Sequence, residues 1–213
     1  MIYCMADIHG SFDRYEKMLQ TIRFSNEDTL YVIGDAIDRG PQSIEVVLDI
    51  MNRSNAVFLR GNHEQMCIND LLLRQYDARR IWQMNGGGTT RSKLLYKCSN
   101  DLRNKILRFF KNAPTCINLD VNGKHFHLVH GFPAETTYDQ LWKRPFPDSE
   151  RPLDEAIVIL GHTPTPLLTG IENAPAQIWH GKGMIDIDCG CGSRSEFGRL
   201  ACIRLDDMEE FYI

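Results

Sequence analysis

Leu30-Tyr31-Val32-Ile33-Gly34-Asp35-Ala36-Ile37-Asp38-Arg39-Gly40-Pro41 is the stretch on which the reading of this chain turns. Four β-forming apolar residues stop at a glycine, and two carboxylates and an arginine follow before the next one. Pro41 suits the start of a helix, and Ile44, Val47, Leu48 and Met51 then repeat at helical spacing. Strand, polar turn and helix in that order form the first part of a βαβ unit, and hence of a partly parallel sheet.

The pattern recurs to either side. Ile2–Ala6 stops at Asp7-Ile8-His9-Gly10, ahead of a helix expected over Ser11–Arg23 with Phe12, Tyr15, Met18, Leu19 and Ile22 near one face. Ala56–Leu59 stops at Arg60-Gly61-Asn62-His63-Glu64, Phe126–Val129 at His130-Gly131, and Ala156–Leu160 at Gly161-His162. Ligands of open α/β sheets bind beyond the carboxyl ends of the strands, so these five polar stops are expected on one rim. The stretch from about 65 to 114 reads as helical and is expected beside or over that rim. Asn122-Gly123 marks a hairpin, and Leu200–Leu205 with Glu210–Ile213 forms another around Asp206-Asp207. The expectation is an α/β (α+β) chain, a single domain over 1–213 with two packed mixed sheets, helices outside and a mainly helical insert at about 65–114.

Composition fits one ordinary folded domain: 213 residues, 43% apolar and 24% charged. A net charge of −4 disfavours a nucleic-acid coat or an anionic membrane surface as the main partner. No apolar run approaches the roughly 20 residues needed to span a bilayer. The first strand begins without a basic-then-apolar leader, and seven cysteines stand at irregular spacings, so a reducing, cytoplasmic setting is expected.

The stops supply Asp7, His9, Asp35, Asn62, His130 and His162, enough donors for two metals if one carboxylate bridges. No thiolate is among them, which points to Mn²⁺, Fe or Zn²⁺. Two divalent ions would outweigh Asp7 and Asp35, leaving a net positive site suited to phosphate and to activating a bridging water.

DIHG (7–10), GDAIDRG (34–40), GNHE (61–64), HG (130–131) and GHTP (161–164), in this order, resemble the calcineurin-like metallophosphoesterase superfamily. GDAIDRG and LRGNHE are similar to its Ser/Thr-specific phosphoprotein phosphatase branch, and Ile81–Gly87 to the compact bacterial and phage type. The resemblance extends through IDIDCG and GRLACIRLDD to nearly the whole chain. It implies the calcineurin-like fold and two divalent ions, Mn²⁺ first among them. Asp7 and His9 would bind the first metal, Asp35 would bridge, and Asn62, His130 and His162 would bind the second. Arg39, with Asn62, would hold the substrate phosphate as a charged fork, and Arg144 is the candidate for a second phosphate-binding arginine. His63 would protonate the leaving alkoxide, kept cationic by Asp38. The family's usual glycine or serine before the first Asp is Ala6 here, and Phe132 replaces a frequent second glycine after His130, where it is expected to reshape the substrate approach.

Plainer readings compete. Asp7 alone would serve as a helix cap, and Arg39 as a salt-bridge partner of Asp35 or Asp38. His125, His127 and His180 read as ordinary strand or surface residues, and Cys189 and Cys191 as packing. Gly86-Gly87-Gly88-Thr89-Thr90 lacks the Lys-Ser/Thr of a phosphate loop and reads as a helix stop followed by a helix start.

The implied activity is hydrolysis of phosphoserine or phosphothreonine in a phosphoprotein or phosphopeptide, by in-line attack of a metal-bridging hydroxide. The alternative is a hydrolase of dinucleoside polyphosphates (diadenosine tetraphosphate among them) or of nucleotide-capped RNA on the same scaffold. Phe132, Trp82, Trp142 and the helical segment are expected to decide between them: an aromatic shelf would suit a nucleobase, and a shallow open groove a protein. A non-catalytic binding protein is disfavoured, because no ligand or acid is missing.

Overall fold

Alternate residues of the first strand enter different cores. Tyr3 and Met5 pack under the helices, while Cys4 and Ala6 face a second layer of strands. That two-residue period makes the strand the inner wall of a layered molecule. The computed structural model describes residues 1–193 and 195–213.

In chain order, β1 (Ile2–Met5), α1 (Phe12–Thr21), β2 (Thr29–Ile33), α2 (Ser43–Asn52) and β3 (Ala56–Leu59) form two βαβ units. Four helices follow: α3 (Asn62–Leu71), α4 (Ala78–Met84), α5 (Gly88–Tyr96) and α6 (Asn100–Asn112). The second half holds β4 (Cys116–Val121), β5 (Lys124–Val129), α7 (Thr137–Trp142), β6 (Ala156–Leu160), α8 (Pro166–Thr169), β7 (Trp179–Gly181) and β8 (Met184–Asp186). A hairpin of β9 (Ala201–Arg204) and β10 (Glu210–Tyr212) closes it.

The strands form two five-stranded sheets, ordered β10-β9-β1-β2-β3 and β4-β5-β6-β8-β7. In the first, β1, β2 and β3 run parallel and β9 antiparallel; in the second, β5, β6 and β8 run parallel, with β4 and β7 antiparallel at the edges. Leu59 and Ile33 of one sheet meet Phe126, Leu128 and Ile159 of the other in the shared core. On the outer face of the first sheet, α1, α2, α3 and α6 bury Met18, Val47, Met66 and Phe110. Asn122 and Gly123 both take positive φ, 49° and 77°, the turn that suits a two-residue hairpin between β4 and β5.

The glycine run after Met84 ends α4 and starts α5, as the sequence suggested, whereas Pro41 and Gln42 stand ahead of α2, with Gln42 N–H donating to Gly10 O at 2.9 Å. Among the described residues no helix is long and apolar enough to cross a membrane. The polar stops after β1, β2, β3, β5 and β6 meet on one rim, joined by the end of β8.

Candidate active site

The backbone at this rim is strained. Asp7, His9, Asp35, Asp38, Arg39 and His162 all have positive φ, between 47° and 74°. Each such residue costs on the order of 1–2 kcal/mol, and strain of this kind gathers where a site needs a fixed geometry. Two glycines let chains approach the carboxylates: a Cβ on Gly61 would stand 2.2 Å from Asp35 Oδ1, and one on Gly161 would stand 2.2 Å from Asp7 Oδ2.

Glu64 holds the turn after β2 in shape. Its carboxylate accepts from the backbone N–H of Gly61 (2.9 Å), Asp35 (3.0 Å), Ala36 (3.0 Å) and Ile37 (3.3 Å). Burial, and then the Asp35 carboxylate, push its pKa up to about 7. A cation beside Asp35 would restore the ionised form that these donors require. Glu64→Ala would strand four buried donors, so it is expected to cost about 3 kcal/mol or more. In a chain of this size that lowers Tm by about 6–12 °C. Calorimetry showing a Tm within about 2 °C of wild type would remove Glu64 from this role.

Around Asp35 the acceptors converge. His130 Nδ1 pairs with Ile33 O at 2.9 Å, so Nε2 carries the lone pair and lies 3.3 Å from Asp35 Oδ1 and 3.0 Å from Asn62 Oδ1. His9 Nδ1 likewise pairs with Ile37 O at 3.0 Å, which leaves Nε2 buried without a partner, 3.7 Å from both Asp7 Oδ1 and Asp35 Oδ2. His162 pairs through Nε2 with Trp142 O at 3.2 Å, so its free atom is Nδ1. The Asn62 carbonyl oxygen therefore faces acceptors only, and reversing the amide would turn these contacts into donations to His130 Nε2, Asp35 and His162 Nδ1 at 3.0–3.2 Å. A cation satisfies all of them without reversal, and backbone carbonyls that fix imidazole tautomers are a usual outer shell of metal sites. Asp35 belongs to both clusters of convergent donors, His9–Asp35–His63 and Asp35–His130–His162.

The electrostatics agree. Burial, and then the Asp188 carboxylate, hold Asp7 well above the usual carboxylate range. Burial opposes ionisation of Asp35 too, but His130 and His63 bring its carboxyl well below that range. Burial alone would lower the His130 pKa, yet Asp35 reverses this and pushes it up to about 10. A proton there stands where a cation could, and metal binding would release it. His162 is pushed down to about 3 by burial and by His130, leaving a neutral imidazole. The residues present thus fit divalent metals held by oxygen and nitrogen.

His63 belongs to a different circuit. Its Nδ1 lies 2.7 Å from Asp38 Oδ2, which also accepts from Trp82 Nε1 at 2.5 Å. Its Nε2 stands 3.7 Å from Asp35 Oδ2 and 3.4 Å from an Arg39 guanidinium nitrogen. A cationic neighbour suits a proton donor better than a metal ligand. Burial lowers the His63 pKa, but Asp35 and Asp38 outweigh it and hold the value above the ordinary one.

The plainer alternatives for Asp7 and Arg39 are not realised. Asp7 Oδ2 accepts from His162 N–H at 2.9 Å rather than capping a helix, and Arg39 has no carboxylate within 4.0 Å among the described residues. Arg144 is exposed and donates to His162 O at 2.6 Å, which places it beside the second cluster. Two expectations about the entrance need correction. Trp82 is fully buried beneath Asp38, because its indole N–H needs an acceptor there. Phe132 packs against the Val129–Val158–Leu160–Met184 cluster, with Lys143 Nζ 4.9 Å from its ring centre, and lines neither cavity beside the centre. Trp142 does border the site, its ring edge-on to His162 at 6.0 Å.

With this geometry in hand, the sequence profile of the calcineurin-like phosphoesterases matches residues 1–189. The chain belongs to that family. Among its relatives, a symmetrical bis(5'-nucleosyl)-tetraphosphatase of Acidovorax ebreus is 42% identical over 131 residues, 61% of this chain and 43% of that protein. Serine/threonine-protein phosphatase 1 of Salmonella typhimurium is 39% identical over 87 residues, 40% of this chain and 38% of that protein. The matched chain spans less than half the length of either relative. An asymmetrical bis(5'-nucleosyl)-tetraphosphatase of Anoxybacillus flavithermus is 25% identical over 98% of this chain and 92% of its own length. Among solved structures, one provisionally assigned as a diadenosine tetraphosphatase superposes with a TM-score of 0.65 at 17% identity, covering 100% of this chain and 92% of its own. A serine/threonine phosphatase of Saccharomyces cerevisiae superposes with 0.60 at 16% identity, covering 100% and 78%. At these identities the superpositions speak for the fold of the family.

Sequence reasoning missed three residues. Glu64 was visible in GNHE, but nothing in the sequence says that its carboxylate faces four backbone donors. Trp82 carried no signal for its bond to Asp38. Asp188 follows β8 as Asp7 follows β1, and the same pattern of strand, acid and glycine could have found it.

Proposed function

We propose that this family member hydrolyses a dinucleoside polyphosphate, with Asp7, His9 and Asp35 holding one divalent ion and Asp35, Asn62, His130 and His162 the other. Such ions would supply a water-derived nucleophile at neutral pH and positive charge for the phosphoryl oxygens. Arg39 binds the phosphoryl group as an unneutralised guanidinium, with Arg144 beside His162, and His63 delivers a proton to the departing oxygen.

The observation that carries the nucleotide reading is an aromatic wall next to the metal ligands. Tyr138 and Trp142, one turn apart on α7, stack at 6.2 Å and 24°, and Tyr138 is 70% exposed. They line a cavity of about 580 Å³ with Gln65, Met66, Ile81 and Leu141. That size suits a small-molecule ligand, and flat aromatic faces suit a nucleobase. The relatives named for bis(5'-nucleosyl)-tetraphosphates support the same choice.

Removing the wall tests it. Base stacking is worth about 1–3 kcal/mol, so Trp142→Ala is expected to raise KM for diadenosine tetraphosphate about 10-fold or more. KM for glycerol 2-phosphate, which carries no ring to stack, should hold. Equal effects on the two substrates would refute the stacking role. In a side-by-side assay with Mn²⁺, kcat/KM for the dinucleotide should exceed that for a phosphothreonine peptide, with Asp35→Asn as the blank. A preference for the peptide would establish the second reading, a serine/threonine phosphatase, which the GDAIDRG and GNHE motifs and the Salmonella relative favour.

A further inference from the structure

A cavity of about 530 Å³ flanks the centre on the His9 side, and its chemistry is unlike that of the aromatic one. His9, Ser11, Arg14, Arg39, Thr89 and Ser193 line it. Arg39 stands at its inner end, 3.4 Å from His63. Arg14 is held by a bond from Nη1 to Gly198 O at 2.9 Å and lies 3.9 Å from Cys191 Sγ. The next residue, Gly192, sits on the His9 imidazole so closely that a Cβ there would be 2.2 Å from the ring. Two consecutive residues, Cys191 and Gly192, thus link Arg14 to His9.

Neither guanidinium is neutralised: among the described residues no carboxylate lies within 4.0 Å of Arg14 or Arg39. The Arg14 Nε and Nη2 donors have no protein partner among those residues either. Like charges in one cavity repel, and an anion between them reverses the sign of that interaction. Arg39 beside the metal ligands accounts for the phosphoryl group under attack. The second guanidinium calls for a second anionic group attached to it.

We propose that Arg14 binds the phosphate adjacent to the one being hydrolysed, so that this cavity takes a phosphoanhydride chain. The subsite rests on placing the scissile phosphoryl group at His9 and Arg39, as in the proposed function, but it does not require a nucleobase. It makes Arg14 a specificity-determining residue that separates polyphosphates from isolated monoesters.

Inhibition by inorganic phosphates reads the subsite directly. Hydrolysis of p-nitrophenyl phosphate would be followed with free Mn²⁺ held constant, because tripolyphosphate chelates metal. Inhibition constants for orthophosphate and tripolyphosphate would be measured for wild type, Arg14→Gln and Arg14→Lys. Tripolyphosphate is expected to bind wild type about 10-fold or more tightly than orthophosphate, Arg14→Gln to reduce that ratio about tenfold, and Arg14→Lys to keep most of it. A wild-type ratio near one overturns the subsite whatever the variants do. So does a ratio unchanged in Arg14→Gln. If the ratio behaves as expected while diadenosine tetraphosphate is a poor substrate, the subsite stands and the nucleotide reading falls. If the dinucleotide is a good substrate and the ratio ignores Arg14, the subsite falls and the nucleotide reading stands.

Discussion

Asp35→Asn is expected to lower phosphate release by about 10³-fold or more, and to leave the protein folded with less bound metal. The argument is one of charge. Asp35 is shared by both donor clusters, and around the second one its partners His162 and Asn62 are neutral, as His130 becomes once a metal has displaced its proton. The substitution leaves that position without an anionic ligand, and the first position with Asp7 alone. Shape is retained, because the asparagine carbonyl can still accept the His63 backbone N–H that Asp35 Oδ1 now accepts at 3.0 Å. Elemental analysis of purified protein should show the loss of metal, and circular dichroism the intact fold. Wild-type turnover with full metal content would sink the proposed centre.

Most of this geometry was legible in the sequence, for a reason particular to the architecture. Strands that run parallel must end at the same rim, so a run such as Leu30–Ile33 followed by Gly34-Asp35 gives both an element and the position of its site residue. The strand ends alone place Asp7, His9, Asp35, Asn62, His130 and His162 on one rim. What escaped depends on side-chain direction in helices and turns. Trp82 and Trp142 look equivalent as aromatics near the motifs, yet one is buried beneath Asp38 and the other borders a cavity. Spacing from a motif does not say which way a helix presents its face when the helix belongs to a separate layer. Arg14 escaped for a related reason: it is a surface-type residue in the first turn of α1, and only Cys191 and Gly198, late in the chain, give it a place beside His9.

The choice of substrate turns on that same missing information. GDAIDRG and GNHE specify the phosphoryl-transfer machinery, and a phosphoanhydride and a phosphomonoester need the same machinery. On the proposed reading, discrimination falls to the two flanks, one aromatic and one cationic. A phosphopeptide would use neither of them fully. A nucleotide bearing a chain of phosphates would use both.

His63→Asn, the second large effect, separates the two chemistries through the leaving group. An alkoxide leaving from phosphoserine is nearly as basic as hydroxide from water, whose pKa is about 15.7, so it must be protonated as it departs. A phosphate leaving from an anhydride resembles the second ionisation of a phosphomonoester, with a pKa near 6, and needs far less help. General acid catalysis is worth about 10²–10⁴-fold, and the loss in His63→Asn should approach the upper figure with a phosphothreonine peptide and the lower one with diadenosine tetraphosphate. The pH profile adds a sign. Asp35 and Asp38 hold the His63 pKa above its ordinary value against the effect of burial. A general acid works while protonated, so wild-type kcat/KM for the peptide should fall as pH rises through the His63 pKa, which Asp38 still favours on the imidazolium side once a metal engages Asp35. The fall should be absent in the variant and shallow for the dinucleotide. A His63→Asn loss that is the same for both leaving groups, with the alkaline limb unchanged, would take the proton from His63 and leave the imidazole only a share in holding the phosphoryl oxygens.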